Sequence, residues 1–306
     1  MRVGFIGLGM MGGAMALNCG AGGHSMTVHD LRREAAERHL KAGARWAGSP
    51  AEAAREAEIV FTSLPGPKEV EAVADGLFEA MQPGAAWFDL STNSPTVVRR
   101  LNKRFAEKGV AMLDAPVSGG PAGARTRKLA LWVGGDKTVF DQHKPVLDAI
   151  GDQVAYIGAI GAGSVAKLVH NAAGYAMQLA LVELFTMGVK AGVPPLDLWA
   201  AIRQGSLGRQ RSFDRLGDRY MQRAFDPANF ALALGHKDVT LAIELARELG
   251  VPMRLANLTH AEMTDALNRG WQGRDARSFL LLQQERAGVE INVPTEEIQA
   301  VLKRDG

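Results

Sequence analysis

Two groups of residues in this sequence have the types and spacing to do chemistry. The first is Lys167 with Asn171, one helical turn further on. Between Ser164 and Lys190 there is no proline, and the only formal charges are Lys167, Glu183 and Lys190. The stretch therefore reads as one long, mostly buried helix, roughly 40 Å from end to end. Ser164, Lys167, Asn171, Tyr175 and Gln178 recur at steps of three and four along it, which places them on one stripe. An ammonium group withdrawn from water is disfavoured relative to the neutral amine, so a lysine on such a helix is a candidate acid/base.

The second group is Gly7-Leu8-Gly9-Met10-Met11-Gly12, which follows the strand-like run Arg2–Ile6 and opens a helical pattern through Asn18. Strand, glycine turn and helix in that order make a dinucleotide site. Gly7 permits the tight turn, Gly9 lets the backbone approach a pyrophosphate, and Gly12 lets the helix pack close to the strand. The helix start then offers free N–H groups to the anion. A second strand, Ser25–Val28, runs into His29-Asp30, and Asp30 lies 23 residues after Gly7. That is the spacing of the carboxylate that bonds the adenosine ribose, and a carboxylate there repels a 2′-phosphate. It argues for NAD over NADP, with Arg32 and Arg33 as the counterweight.

The elements that must hold these residues alternate. Glu58–Leu64, Ala85–Leu90, Val110–Ala115, Leu129–Val133 and Val154–Ile157 read as strands, with helices at Pro67–Glu79 and Ser94–Glu107. This is an α/β pattern, a doubly wound Rossmann sheet with ligands at the carboxyl ends of its strands. Leu64-Pro65-Gly66, Ser91-Thr92-Asn93 and Pro116–Pro121 sit at those ends and would line one crevice. Beyond Val193-Pro194-Pro195 strand-like alternation stops. Leu196–Gln204, Arg211–Arg223, Lys237–Leu249 and Leu255–Arg269 read as helices, so the second domain is expected to be all α. The predicted division is 1–162 for the dinucleotide-binding domain and 163–306 for the α domain, with 163–191 as the helix between them.

With 306 residues the chain has room for two such cores, and its net charge of +2, interleaved in sign, gives no basis for a nucleic-acid partner. The polar residues His170, Asn171, Tyr175 and Gln178 interrupt the apolar run that follows Lys167, so no membrane span is expected. One cysteine, Cys19, fits a reducing compartment, and the opening MRVGFIGLG enters a strand directly, so the expectation is a cytoplasmic protein with no metal site.

The ordered motifs GFIGLGMMGGAMA, SLPGPKEV, FDLSTNSP, LDAPVSGGPAGA, GAGSVAKLVHN and GHKDVTLAIELARELGVP resemble those of the β-hydroxyacid dehydrogenases, a family of the 3-hydroxyisobutyrate dehydrogenase and tartronate semialdehyde reductase type. The likeness covers nearly the whole chain. It implies an NAD-dependent oxidoreductase acting on a small anionic substrate, with Leu8, Met10, Met11, Leu64, Pro65 and Thr92 at the cofactor and Thr92 near the nicotinamide. It implies that Ser118, Gly119 and Gly120 hold the substrate carboxylate, that Lys167 is the acid/base and that Asn171 orients substrate. Lys237 matches a lysine that closes over cofactor and substrate.

Other readings of this architecture are decarboxylating oxidation of the 6-phosphogluconate type, an imine or semialdehyde reductase using NADPH, and a nucleotide-binding module without turnover. The chain is short for the first. Imine reductases usually lack a lysine at the position of Lys167, and a module without turnover would not need it. The greasy helices of the α domain predict a homodimer or homotetramer formed through it. Two departures from the family pattern stand out: the basic run Arg125, Arg127, Lys128, and the basic segment Leu207–Arg211. Either cluster could recognise a second anionic group on the substrate, with Arg209 or Arg211 the candidates, against surface solvation as the default reading. Gly270–Arg286 has no role that the resemblance supplies, and Asp275–Leu282 is expected to pack near the substrate pocket.

Overall fold

The central strands are short apolar runs with almost no exposed residue, as a parallel sheet covered on both faces requires. In the computed structural model, which describes residues 1–168, 170, 177, 184, 187–188, 190–193, 201–202, 204–209, 219–228, 231–233, 235–236, 239–240, 243, 247, 250–288 and 290–305, these runs are β1 (Arg2–Ile6), β2 (Ser25–His29), β4 (Ile59–Thr62), β5 (Ala86–Asp89) and β6 (Ala111–Asp114). With the two-residue β3 (Arg45–Trp46) they pair in parallel in the order β3-β2-β1-β4-β5-β6. That is the doubly wound order of a Rossmann sheet. Three further strands extend it: β7 (Val117–Ser118), β8 (Ala130–Gly134) and β9 (Gln153–Gly158). β8 runs antiparallel to β6 and β7 and parallel to β9.

Helices cover both faces: α1 (Gly12–Ala21), α2 (Glu37–Lys41), α3 (Pro50–Ala54), α4 (Pro67–Ala80), α5 (Pro95–Ala106), α6 (Gly120–Thr126) and α7 (Lys137–Leu147). Their starts are written locally. Pro50, Pro67 and Pro95 occupy the first turns, where a missing N–H costs nothing. The Ser49 hydroxyl accepts from Glu52 N–H at 3.1 Å, and the Asp136 carboxylate accepts from Thr138 and Val139 N–H. In the first unit the expected strands and helices are present, mostly trimmed or extended by one to three residues, and the expected helix Leu255–Arg269 is present as Arg254–Asn268; the expected helices Leu196–Gln204, Arg211–Arg223 and Lys237–Leu249 lie largely outside the described residues. β3, β7, α2, α3, α6 and α7 are additions, and all of these but α7 are too short to show a period.

Period-two alternation divides the core. Phe5, Phe61, Phe88 and Leu113 are partners in register and pack with α1 on one face. Val60, Trp87 and Met112 point the other way, toward α4 and α5. The rings of Phe5, Phe61 and Phe88 step across the sheet at 5.8 Å between centroids.

The chain divides into two compact units, Met1–Ala173 and Gly174–Gly306. In the second, the described residues are helical or irregular apart from one isolated bridge between Ala231 and Asp275. The described helices there include α8 (Arg254–Asn268), α9 (Leu281–Ala287) and α10 (Thr295–Asp305). Leu232 joins Met263 and Ala266 of α8 and Leu282 of α9 in a small apolar core. Asp275, 1% exposed, accepts from Arg277 and stands 4.0 Å from Arg219, and its N–H donates to Phe225 O. The segment Gly270–Arg286 is thus tied into this unit by a buried carboxylate. Every described residue from 162 to 190 is helical. Among the described residues no helix is long and apolar enough to cross a membrane.

Phe61→Ala removes a fully buried ring from the middle of the sheet. It is expected to destabilise the first unit by about 3–5 kcal/mol, read as a lower urea midpoint with an unchanged slope.

Candidate active site

The four central strands end in one register row, Ile6, Thr62, Asp89 and Asp114. Whatever follows each of these residues emerges on the same rim.

After Ile6 comes the glycine loop. Gly7 has φ 93°, and a Cβ there would lie 2.3 Å from Ser63 O; one on Gly12 would lie 2.0 Å from Gly7 O. Protein packing therefore fixes these two glycines. Gly9 differs, because a Cβ on it would meet nothing within 4 Å. The space above it is open, which is what a pyrophosphate lying against the backbone needs, and Met10 beside it is 80% exposed. Met11 precedes the first turn of α1 as its cap residue. Asp30 ties the loop to the end of β2: Leu8 N–H donates to Oδ2 at 2.8 Å and Arg32 N–H to Oδ1 at 2.9 Å. An open depression of about 450 Å³ runs beside the loop, lined by Leu8, Gly9, Met10, Arg32, Arg38 and Lys41. The Arg33 guanidinium lies over the Trp46 ring at 5.7 Å from its centroid. The donors and the cleared space fit a dinucleotide.

After Thr62 and Asp89 come the next two loops, joined by a network. Asp89, 1% exposed, accepts from the Thr62 hydroxyl at 2.9 Å, Ser91 N–H at 3.1 Å and the Asn93 amide at 2.8 Å. Trp87 donates to the Thr62 hydroxyl, and Leu64 N–H donates to Ser91 Oγ at 2.9 Å. Burial pushes the Asp89 carboxyl above the usual carboxylate range, opposed by these hydrogen bonds. Ser91 and Asn93 are thereby held inward, while Thr92 between them is half-exposed on the rim. Leu64 is fixed through Ser91, and Pro65 follows it.

After Asp114 the chain crosses β7 into the glycine turn Gly119-Gly120. Asp114 does for the fourth loop what Asp89 does for the second and third. Its Oδ1 accepts from Gly161 N–H at 2.7 Å and its Oδ2 from Ser164 N–H at 2.6 Å. Burial raises its pKa as well, against the same backbone donors. The two N–H groups belong to the start of the helical segment that carries Lys167, so β6 holds that helix by its first turn. Lys167 Nζ donates to Val117 O at 2.7 Å, and burial lowers the lysine pKa from its ordinary 10.5. Ser118 follows Val117, with its Oγ 3.2 Å from His170 Nε2.

The structure thus brings Lys167 to the loop of Ser118, Gly119 and Gly120, and sets Gly7–Gly12, Asp30, Leu64, Pro65 and Thr92 on the same rim. Asn171, Tyr175, Gln178, Lys237, Gln210 and Arg211 lie outside the described residues, and of Arg209 only the backbone is described. Arg125, Arg127 and Lys128 are exposed. Three participants escaped the sequence reading: Asp89, Asp114 and His170. Asp89 and Asp114 had a readable signal, since each is a lone carboxylate closing an otherwise apolar strand. His170 had none beyond its place three residues after Lys167.

Residues 2–158 match the model of the NAD-binding domain of 6-phosphogluconate dehydrogenase, and residues 161–282 that of the NAD-binding domain of NADP-dependent 3-hydroxyisobutyrate dehydrogenase. The chain is 31% identical over 295 residues to 2-(hydroxymethyl)glutarate dehydrogenase of Eubacterium barkeri, covering 95% of this chain and 98% of that one. A Mycobacterium tuberculosis 3-hydroxyisobutyrate dehydrogenase structure with L-serine superposes with a TM-score of 0.65 at 27% identity, covering 93% of this chain and 100% of that one. An imine reductase from Myxococcus stipitatus in complex with NADP+ superposes at 0.82 with 18% identity, covering 92% of this chain and 99% of that one, a likeness of fold alone.

Asp114→Asn leaves one acceptor oxygen where two N–H groups point. The variant is expected to lose about 1–3 kcal/mol of stability, with faster amide hydrogen exchange at Gly161 and Ser164. Unchanged exchange at both would remove the anchoring role.

Proposed function

This chain belongs to the β-hydroxyacid dehydrogenase family, and from that premise we propose that Lys167 is the general acid/base of its reaction, with Ser118, Gly119 and Gly120 as the carboxylate site. The protein is an NAD(P)-dependent oxidoreductase that moves hydride between nicotinamide and a small β-hydroxy acid. Its proposed substrates are 3-hydroxyisobutyrate-like, and its proposed cofactor is NAD, favoured by the carboxylate of Asp30.

The observation that carries this reading is the half-buried Lys167 amine, donating to Val117 O at 2.7 Å one residue from Ser118. A neutral amine keeps an N–H for Val117 and has a lone pair to spare. Held by that carbonyl, it can take the proton of a substrate hydroxyl within about 3 Å. Burial lowers its pKa, so more of the base is present near neutral pH than on a solvated lysine. Bound nicotinamide supplies the hydride acceptor, or the donor in the reverse direction. In reverse the protonated amine gives the proton back to the forming alkoxide. Gly119 and Gly120 offer backbone N–H groups, and Ser118 a hydroxyl, to the carboxylate, which fixes the reacting carbon relative to Lys167. Asn171, four residues after Lys167, is assigned the direction of the substrate hydroxyl by the family likeness, and Lys237 the closure over cofactor and substrate.

We infer also a cytoplasmic protein that assembles through its α domain as a dimer or tetramer. Exposed apolar side chains of the second unit support the assembly, among them Leu258 at 60% and Leu184 at 43%. Light scattering of the purified chain at micromolar concentration is expected to give two or four times the 32.7 kDa chain mass; a monomer would end the idea.

Turnover is tested by following nicotinamide absorbance with NAD and with NADP against 3-hydroxyisobutyrate, serine, glycerate, threonate and sulfonated analogues. Lys167→Ala is expected to lower kcat about 10²–10⁴-fold. In the oxidative direction the wild type should gain kcat/KM with rising pH through an ionisation below 10.5, because only the neutral amine accepts the proton. Retention of that ionisation in Lys167→Ala would refute the assignment.

A further inference from the structure

We propose that His170 is a positioning residue for substrate: its imidazole, braced on Trp132, turns the Ser118 hydroxyl so that its proton points at the substrate carboxylate. This rests on the reading of Ser118 given above.

Three elements meet here. Ser118 belongs to β7 and pairs with Ala130 of β8. Trp132 stands two residues further along β8, and the His170 ring packs on it at 5.2 Å between centroids with 57° between planes. His170 comes from the helical segment of Lys167, three residues on, so the two side chains share a face. Its Nε2 reaches Ser118 Oγ at 3.2 Å. Strand, neighbouring strand and helix together set that distance, whereas an exposed histidine held by nothing would be free to turn away.

The chemistry follows from counting protons. A serine hydroxyl has one proton and two lone pairs. If His170 Nε2 accepted that proton, only lone pairs would face an incoming carboxylate and repel it. If Nε2–H donates to Oγ, the hydroxyl proton is free to be donated outward. A carboxylate accepts only, so it selects the second arrangement, a relay running from Nε2–H through the Ser118 hydroxyl to the carboxylate. Each bond in such a chain polarises the next. His170 is exposed and Ser118 partly so, which leaves a small ligand a way to the pair.

The probe is malonate, a carboxylate with no hydroxyl to oxidise, titrated into the NADH-loaded protein by calorimetry. His170→Phe keeps a ring for Trp132 and loses the hydrogen bond; His170→Gln keeps an N–H donor. The phenylalanine variant is expected to bind malonate up to about 10-fold more weakly, the loss of the neutral hydrogen bond that orients and polarises the Ser118 hydroxyl, and to raise KM for 3-hydroxyisobutyrate in proportion, with the loss falling on KM rather than kcat. The glutamine variant should recover most of it. In a Ser118→Ala background His170→Phe should add nothing, because the imidazole acts through the hydroxyl. Imidazole ¹⁵N shifts of the wild type should show malonate placing the proton on Nε2, a readout that needs no variant to fold. Unchanged malonate affinity in His170→Phe, additive losses in the double variant, or an imidazole that ignores malonate would each overturn the proposal. A wild type that oxidises no β-hydroxy acid would instead sink the proposed function, and malonate binding would still decide the role of His170.

Discussion

Two carboxylates buried side by side at the ends of neighbouring strands, Asp89 and Asp114, set the terms for the rest of the first unit. A carboxylate withdrawn from water is costly unless several donors reach it. No helix or strand ladder can supply them at a strand's end, so the loops must. Asp89 draws in Ser91, Asn93 and Thr62, and Asp114 draws in the N–H groups of Gly161 and Ser164. The loops that satisfy the two anions are the loops that carry the site. Their conformation is thereby a condition of folding.

The same arrangement explains how residues far apart in sequence are held in fixed relation. Thr62, Ser91 and Leu64 are joined through Asp89 and Ser91, so the second and third rim loops move as one piece. Lys167 is referred to the sheet twice, through Asp114 at the start of its helix and through Val117 O at its tip. An amine fixed at both ends of its lever has little freedom to swing into water, and its partial burial lowers its pKa. Position and proton affinity here have one cause. The second unit uses the same device on a smaller scale, with Asp275 gathering Arg219 and Arg277 around a buried carboxylate.

Much of this was legible from residue order. The glycine loop and the strand alternation have periods and spacings that local sterics dictate, and those elements appeared where the periods run; of the lysine-bearing helix, the described residues are helical. Elements of two to seven residues, such as β3, β7, α3 and α6, were not legible, because a run that short shows no period and exists only through its neighbours. Asp89 and Asp114 could have been flagged as charges closing apolar strands. Their partners could not, since Gly161 lies 47 residues from Asp114.

Residue order alone was enough for the doubly wound sheet, the dinucleotide loop and the choice of Lys167 as the candidate base, because glycine geometry, period-two burial and the cost of a buried amine act over a few residues. What each of these faces came from the folded chain: Asp30 ties its own loop by Leu8 N–H, Val117 O receives the amine, and His170 meets Ser118. Those pairings depend on strand register and on the angle at which a helix leaves the sheet, which are settled by packing across the whole unit.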